Sequence, residues 1–429
     1  MPIVNMKFKT ISLGCKVNSY ECSALSSTLI SRGYIEDRNN PDVVIINTCS
    51  VTATADQKSR QHIRKMMNNY PRAIIVVMGC YSQGNYQYII NEIKPHIIVG
   101  TSHRDEIPDL IEEYLVNKKT IVRVDDNPRQ YKYEELGVTS FSENVRAYLK
   151  IQDGCDNFCT YCLIPYRRGK MRSRAKDNVI KEAQYLIEQG YPEIVLTGIH
   201  VGGYGKDLDG VSFSSLVDEL SHLPGLSSLR ISSIEESEID EHLIDLVANN
   251  PVLAKHLHIP LQSGSKTVLE RMNRKYTPKD FLMKLQAIRK ALPDIALTTD
   301  VIVGFPGETE EEFKETVEFI KQCDFNMLHV FPFSAREGTG AYLMKNQIDP
   351  KIKKQRVQVL LELSNQLWDK YVNQFIDKDI EVLIEKNDNV ENVSFGHTSN
   401  YIDVKIPEKL YKPGQKITIK LQKSMIVSK

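Results

Sequence analysis

From residue 7 to about residue 335 the chain alternates short β-branched runs with helix-length segments, and this alternation constrains the fold most. KFKTISL (7–13), DVVIINT (42–48), AIIVVMG (73–79) and HIIVG (96–100) read as strands bounded by Gly, Pro or Asn. Helix-length stretches lie between them, near 18–31, 54–69, 83–93 and 104–116. Strands joined through helices run parallel, with helices on both faces of the sheet. A polar, aperiodic stretch at about 126–144 reads as a linker. Beyond it come six more strand candidates: RAYLKIQ, EIVLTGI, SSLRISS, KHLHIPLQ, ALTTDVIVG and NMLHVFPF. Eight βα units would close a barrel, whereas six predict an open, partial one. A long helix is expected over 351–376, with Leu360, Leu361, Leu363, Leu367 and Trp368 as its apolar face. From about 377 the period changes to two, which predicts a small all-β module of the OB type. The expected divisions are 1–134, 141–370 and 377–429.

Other classes of fold and setting are disfavoured. No apolar run reaches the ~20 residues of a membrane span, and MPIVNMKFKT has no signal-peptide core. A cytoplasmic protein is expected, without membrane association. Basic and acidic residues number 55 each, so any nucleic-acid site has to be a local patch. The eight cysteines sit in a long chain that can bury a core without disulfide staples. Ligand or redox roles are the better expectation.

DGCDNFCTYC spaces Cys155, Cys159 and Cys162 as C-x3-C-x2-C, in a loop after the first strand of the second βα series. That is the barrel face where chemistry is placed. Three close thiolates suit three irons of a 4Fe-4S cube and leave the fourth iron open. A structural zinc site would want a fourth ligand, and none follows Cys162 in the loop. This motif, so placed, resembles the radical S-adenosylmethionine (SAM) superfamily. There the open iron is chelated by SAM, which one electron cleaves to a 5′-deoxyadenosyl radical. The resemblance implies SAM contacts from Tyr161, from Gly198 and Gly202 in TGIHVGGYG, and from Ser233 and Glu235 in RISSIEE. It extends them to Gln262 in HIPLQSGS and to Gly304, Phe305 and Pro306 in GFPGET.

Cys15, Cys49 and Cys80 lie far apart in sequence, but each ends one of the first three strands and precedes a helix. Parallel sheets gather ligands at those carboxyl ends, and helix N-termini favour a thiolate or anionic cluster. Gly14 and Gly79 allow tight turns just before two of them. A second open 4Fe-4S cluster is expected here. Cys22 and Cys323 read as structural, and His200, His256 and His258 as scattered, satisfied or surface groups.

Two clusters in this order resemble the methylthiotransferases, which have an N-terminal cluster domain, a radical-SAM domain and a C-terminal TRAM module. The resemblance covers essentially the whole chain. It implies that the N-terminal cluster carries the sulfur, that one SAM methylates it, and that a second SAM supplies the radical. An external low-potential electron donor and a monomeric enzyme are expected. LGCKVNSYE at 13–21 resembles the branch acting on N6-threonylcarbamoyladenosine-37 of tRNA; RISSIE and FSAREGTGA lean the same way. Glu236 and Gly340 stand where that branch usually has Pro. Another branch, acting on isopentenyladenosine or a ribosomal protein, radical-SAM chemistry without sulfur transfer, and a non-catalytic iron–sulfur RNA-binding sensor are the competing readings.

For RNA, the run Arg167, Arg168, Lys170, Arg172, Arg174 adjoins the cysteine loop. It is expected to hold the tRNA anticodon loop and to receive the threonylcarbamoyl carboxylate. Tyr401, Lys405 and Lys416 of the C-terminal module are expected to add RNA contacts.

Overall fold

In the computed structural model, which describes residues 5–137, 145–407 and 411–427, the first third of the chain is a six-stranded parallel sheet. Strands β1 (Lys7–Ser12), β2 (Ile35–Glu36), β3 (Val43–Thr48), β4 (Ile74–Gly79), β5 (Ile97–Val99) and β6 (Ile121–Arg123) lie in the order β2-β1-β3-β4-β5-β6. Central β3 and β4 are buried along their whole length, hence their unbroken apolar runs. The edge strands β2 and β6, which were not expected from sequence, span only two and three residues. Runs that short carry no periodicity.

Helices α1 (Lys16–Ser31), α2 (Ala53–Asn69), α3 (Cys80–Tyr88) and α4 (Ile107–Asn117) cover both faces. Leu25, Leu29, Leu110 and Ile111 bring α1 and α4 onto one face. Ile63, Met66 and Tyr81 bring α2 and α3 onto the other. The helix expected over 83–93 starts earlier, directly at Cys80, and passes into a π-helical turn at Ile89–Ile93.

The second series begins with β7 (Arg146–Lys150). Two short antiparallel strands, β8 (Gln152–Asp153) and β9 (Arg172–Ser173), then clasp the ends of the cysteine loop, which contains α5 (Ile164–Arg168). Five more strands follow: β10 (Glu193–Thr197), β11 (Ser228–Ile231), β12 (His256–His258), β13 (Ala296–Val303) and β14 (Met327–Pro332). They form two parallel sheets, β11-β10-β7 and β12-β13-β14. Parallel bridges Leu229–Leu253 and Ser233–His258 join the two, so the six long strands make one curved, open barrel. Helices α6 (Lys176–Glu188), α7 (Phe213–Ser221), α8 (Glu241–Asn249), α9 (Lys266–Arg271), α10 (Pro278–Ala291), α11 (Glu310–Cys323) and α12 (Pro350–Val372) belong to this part. Capping boxes at Ser212, Thr277 and Thr309 start α7, α10 and α11. Along α12, Leu360, Leu363 and Leu367 are buried, but Leu361 faces outward. A helical stripe admits positions three and four apart and excludes their immediate neighbour.

The last part is a four-stranded antiparallel sheet, β15 (Asp379–Asp388), β16 (Val393–Thr398), β17 (Asp403–Pro407) and β18 (Lys416–Lys420), in the order β17-β16-β15-β18. Its core residues Val382, Ile384, Ile402 and Val404 share one cluster with Tyr371 and Val372 of α12 and Ala296 of β13. The β-module is therefore packed onto the barrel.

The linker expectation needs correction. Residues 138–144 lie outside the described part, but 126–137 are fastened down. The Tyr131 hydroxyl donates to Gln83 at 3.2 Å and the Tyr133 hydroxyl to the Lys150 carbonyl at 2.8 Å. Glu134 pairs with Arg104, and Glu135 with Arg174. Polar composition here meets polar partners rather than water. Among the described residues no helix is long and apolar enough to cross a membrane.

Candidate active site

Cys15 ends the turn after β1 and caps α1, Cys49 follows β3, and Cys80 opens α3. Two glycines make the convergence possible. Gly14 has φ +146°, and a Cβ there would lie 2.8 Å from the Cys49 Cβ. Gly79 has φ +104°, and a Cβ there would lie 2.6 Å from the Thr48 carbonyl. Only glycine suits either position. Burial, with Cys80 and Cys15 adding, pushes the Cys49 thiol up to about 11. Burial also raises Cys80, with Arg168 opposing.

The second triad lies within the loop clasped by β8 and β9. Burial pushes the Cys159 thiol up and the Cys162 thiol up to about 12, with Arg274 and the Ile164 amide opposing. Arg274 donates from Nη1 to Cys159 Sγ at 3.5 Å, and the Ile164 amide to Cys162 Sγ at 3.4 Å. His200 Nδ1 lies 3.8 Å from Cys155 Sγ, and its Nε2 lies 2.8 Å from Glu238. Burial works against the His200 cation, but Cys155 and Glu238 outweigh it and raise the imidazole to about 10. Sequence reasoning set His200 aside as scattered; its Gly-rich loop was the available signal. Among the described residues no three His, Cys, Asp or Glu groups close around a point that would hold a single ion. In the first triad Arg168 is directed at Cys80, and in the second Arg274 is directed at Cys159.

A buried charge lattice joins the two triads. Fully buried Arg168 donates from Nε to Cys80 Sγ at 3.2 Å. Its Nη1 reaches Glu21 of α1 at 2.8 Å and Asp153 at 3.1 Å, two residues before Cys155. Lys150 reaches the same two carboxylates, at 3.0 and 2.7 Å. Burial alone would protonate Glu21, but Arg104, Arg168 and Lys150 hold it well below the usual carboxylate range. Arg168, Arg172 and Arg174 are thus not an RNA-facing run. Arg172 pairs with Asp153 at 3.2 Å and Arg174 with Glu182 at 2.7 Å, and all three are buried. Arg167 lies half-buried over Gly84. Lys170 alone of the five is exposed. The alternation of these cations between a buried lattice and the surface cannot be read from composition.

A cavity of about 530 Å³ lies between the N-terminus of α1 and the inner wall of the barrel. Gly14, Cys15 and Lys16 line one side, and Gly198, Ser233, His258, Asp300 and His329 the other. At one end Tyr401 of the β-module stacks on His256, ring centroids 5.0 Å apart, and lies beneath the Arg230 guanidinium at 4.6 Å. Burial, reinforced by Arg146 and Arg230, brings the Lys16 ammonium down to about 8. A groove of equal volume between α1 and α6 is lined by no cysteine.

Of the residues expected at SAM, Gly198 and Ser233 line this cavity. Glu235 lines a smaller adjacent pocket with Cys159 and pairs with Arg274. Tyr161 packs beside Val268, Met272, Phe305, Phe333 and Ala341. The remaining five glycine-motif and strand-end positions are closed by protein. A side chain at Gly202 would meet Glu238, and one at Gly304 would meet Lys353. Phe305 is fully buried and Pro306 is buried. Gln262 is nearly buried, its backbone at φ +65° and bridged to Val301. In the β-module Lys405 pairs with Glu391, while Lys416 pairs with Glu381 at 3.0 Å and donates to the Ser227 carbonyl.

The barrel and its cysteine loop define the class. Residues 149–320 match the radical SAM superfamily, and residues 7–100 match an uncharacterised protein family, UPF0004. The chain is 46% identical over 92% of its length to the threonylcarbamoyladenosine tRNA methylthiotransferase MtaB of Bacillus subtilis, covering 88% of that protein. It is 36% identical to the Aquifex aeolicus protein of the same name, covering 93% of this chain and 96% of that one. The tRNA-2-methylthio-N(6)-dimethylallyladenosine synthase of Acetivibrio thermocellus is also 36% identical, with 87% and 79% covered. The fold is similar to the radical SAM methyltransferase TsrM of Kitasatospora setae, with TM-score 0.58, 16% identity, and 76% and 72% of the two chains covered. The chain belongs to the radical-SAM tRNA methylthiotransferase family, and it is an enzyme that transfers a methylthio group.

Proposed function

We propose that the enzyme inserts a methylthio group at C2 of N6-threonylcarbamoyladenosine-37 in tRNA. The observation that carries the reading is the single cavity lined both by Cys15 and by the barrel residues Gly198 and Ser233. Sulfur delivery and C–H activation must meet at one carbon, and this cavity would be where they meet, with Cys159 lining a separate smaller pocket. The printed activity of the B. subtilis and A. aeolicus relatives supports the threonylcarbamoyl substrate.

Cys15, Cys49 and Cys80 would hold an auxiliary 4Fe-4S cluster, and Cys155, Cys159 and Cys162 a second that binds SAM. The bound cofactors supply the sulfur, the methyl group and the 5′-deoxyadenosyl radical. The chain's own residues position and shield. Arg274 stays fixed between Glu235 and Cys159, His200 between Glu238 and Cys155, and Arg168 between Cys80 and Asp153. Residues 1–134, 141–370 and 377–429 would be the auxiliary-cluster, radical-SAM and TRAM domains. The anticodon loop of tRNA would enter past Lys170 and the β-module. A monomeric cytoplasmic enzyme served by an external low-potential electron donor completes the reading.

The test is mass spectrometry of tRNA nucleosides from a deletion strain and its complement. Disappearance of 2-methylthio-N6-threonylcarbamoyladenosine is the expected result. Loss of 2-methylthio-isopentenyladenosine instead, with the threonylcarbamoyl product intact, would overturn the substrate.

A further inference from the structure

We infer that Lys16 is a specificity-determining residue whose ammonium receives the carboxylate of the threonylcarbamoyl group. This rests on the substrate proposed above and names how the cavity recognises it.

Lys16 lines the cavity directly beside Cys15. Two basic side chains other than histidine line that space, Lys16 and Arg230. Arg230 is committed to Glu193, at 3.1 Å between Nη2 and Oε2, and is covered by Tyr401. Asp300, the carboxylate on the opposite wall, is paired with His258 at 3.3 Å. Among the described residues no carboxylate lies within 4 Å of the Lys16 ammonium, and no hydrogen bond holds it; its charged neighbours are Arg146, Arg230, Glu193 and Cys15. Glu193 is already shared by Arg230 and His397. A half-buried cation facing a cavity without its own anion is unfavourable until a ligand supplies one.

Location makes the nucleoside the natural source of that anion. C2 and C6 flank N1 of adenine, so the N6 substituent lies near the carbon that receives sulfur. A residue adjacent to Cys15 can therefore meet the N6 substituent. Arg168, Arg172 and Arg174 cannot take this role, because they are buried in their own ion pairs.

The experiment measures binding of anticodon stem-loop RNAs to reconstituted holoenzyme by fluorescence anisotropy. The RNAs carry either N6-threonylcarbamoyladenosine-37 or its methyl ester, which removes the charge and keeps the rest. Wild type is expected to prefer the free acid by about tenfold to a hundredfold, the range for a hydrogen bond to a charged group. Lys16→Gln should bind acid and ester alike, and Lys16→Arg should restore much of the preference. Circular dichroism and iron content exclude misfolding as the cause. Persistence of the acid preference in Lys16→Gln would overturn the assignment. So would a fall in SAM affinity with the preference intact, which would assign Lys16 to the SAM carboxylate. A wild-type enzyme unable to convert the threonylcarbamoyl loop would strike the functional reading itself.

Discussion

Arg168 Nε lies 3.2 Å from Cys80 Sγ, while Nη1 of the same guanidinium bonds Asp153 at 3.1 Å. One side chain thus ties the third cysteine of the N-terminal sheet to the strand that launches the barrel's cysteine loop. Replacing it leaves Glu21 and Asp153 buried with less cationic support. Arg168→Ala is expected to cost about 3–5 kcal/mol in denaturant unfolding. Arg168→Lys should recover only part, because an ammonium cannot span sulfur and two carboxylates as a planar fork does. Stability of Arg168→Ala within about 1 kcal/mol of wild type would show that the lattice contributes little.

The two cysteine triads sit on separate elements, so each should load iron without the other. Anaerobically reconstituted Cys155/Cys159/Cys162→Ala protein is expected to keep half the iron of wild type. Cys15/Cys49/Cys80→Ala should keep the other half and still release 5′-deoxyadenosine from SAM. Complete loss of iron from either folded variant would refute two independent sites.

The β-module is bound to the barrel by more than a covalent link. Arg146 pairs with Glu385 at 2.5 Å, and Asn400 Nδ2 donates to the Tyr371 hydroxyl of α12 at 2.8 Å. Tyr401 fills the end of the cavity against His256. Tyr401→Ala should therefore destabilise the protein by about 3 kcal/mol or more, as for removal of other large aromatics. It should also weaken RNA binding, since the cavity floor opens. Calorimetry and stem-loop titration read the two effects, and neutral behaviour in both would make Tyr401 a surface residue.

The same junction is sensitive to pH. Glu193 is held below the usual carboxylate range by Arg230 and His397, although burial opposes this. Its stabilisation is present above the unfolded value of about 4.3 and is lost as pH falls through the folded one. His397 is raised by Glu193 and Glu385, again against burial. Its contribution is present below about 6.5 and is lost as pH rises through the raised value. The thermal midpoint should accordingly fall from about pH 6.5 upward in wild type. In His397→Gln it should start lower at pH 6 and lack that slope. Parallel pH profiles for the two proteins would remove His397 from this role.

Some of the site was legible because its determinants are local or periodic. The spacing of Cys155, Cys159 and Cys162 lies within one loop. The positions of Cys15, Cys49 and Cys80 follow from a rule of parallel sheets, that strand ends gather on one edge. The βα alternation and the switch to a period of two likewise set the sheets, because backbone pairing imposes those periods. Tertiary structure alone decided which charges matter. Arg168, Lys170 and Arg172 look alike in sequence, yet the first and third are buried in a lattice and the second is exposed. Glu21 finds Lys150 across 129 residues and Arg168 across 147. Glu134 and Tyr133 turn an apparent linker into a clasp. Charge pairing has no period along the chain, and a cation's partner is set by which elements pack together. That packing also leaves Lys16 facing the cavity without an anion, a property of the folded chamber rather than of any motif.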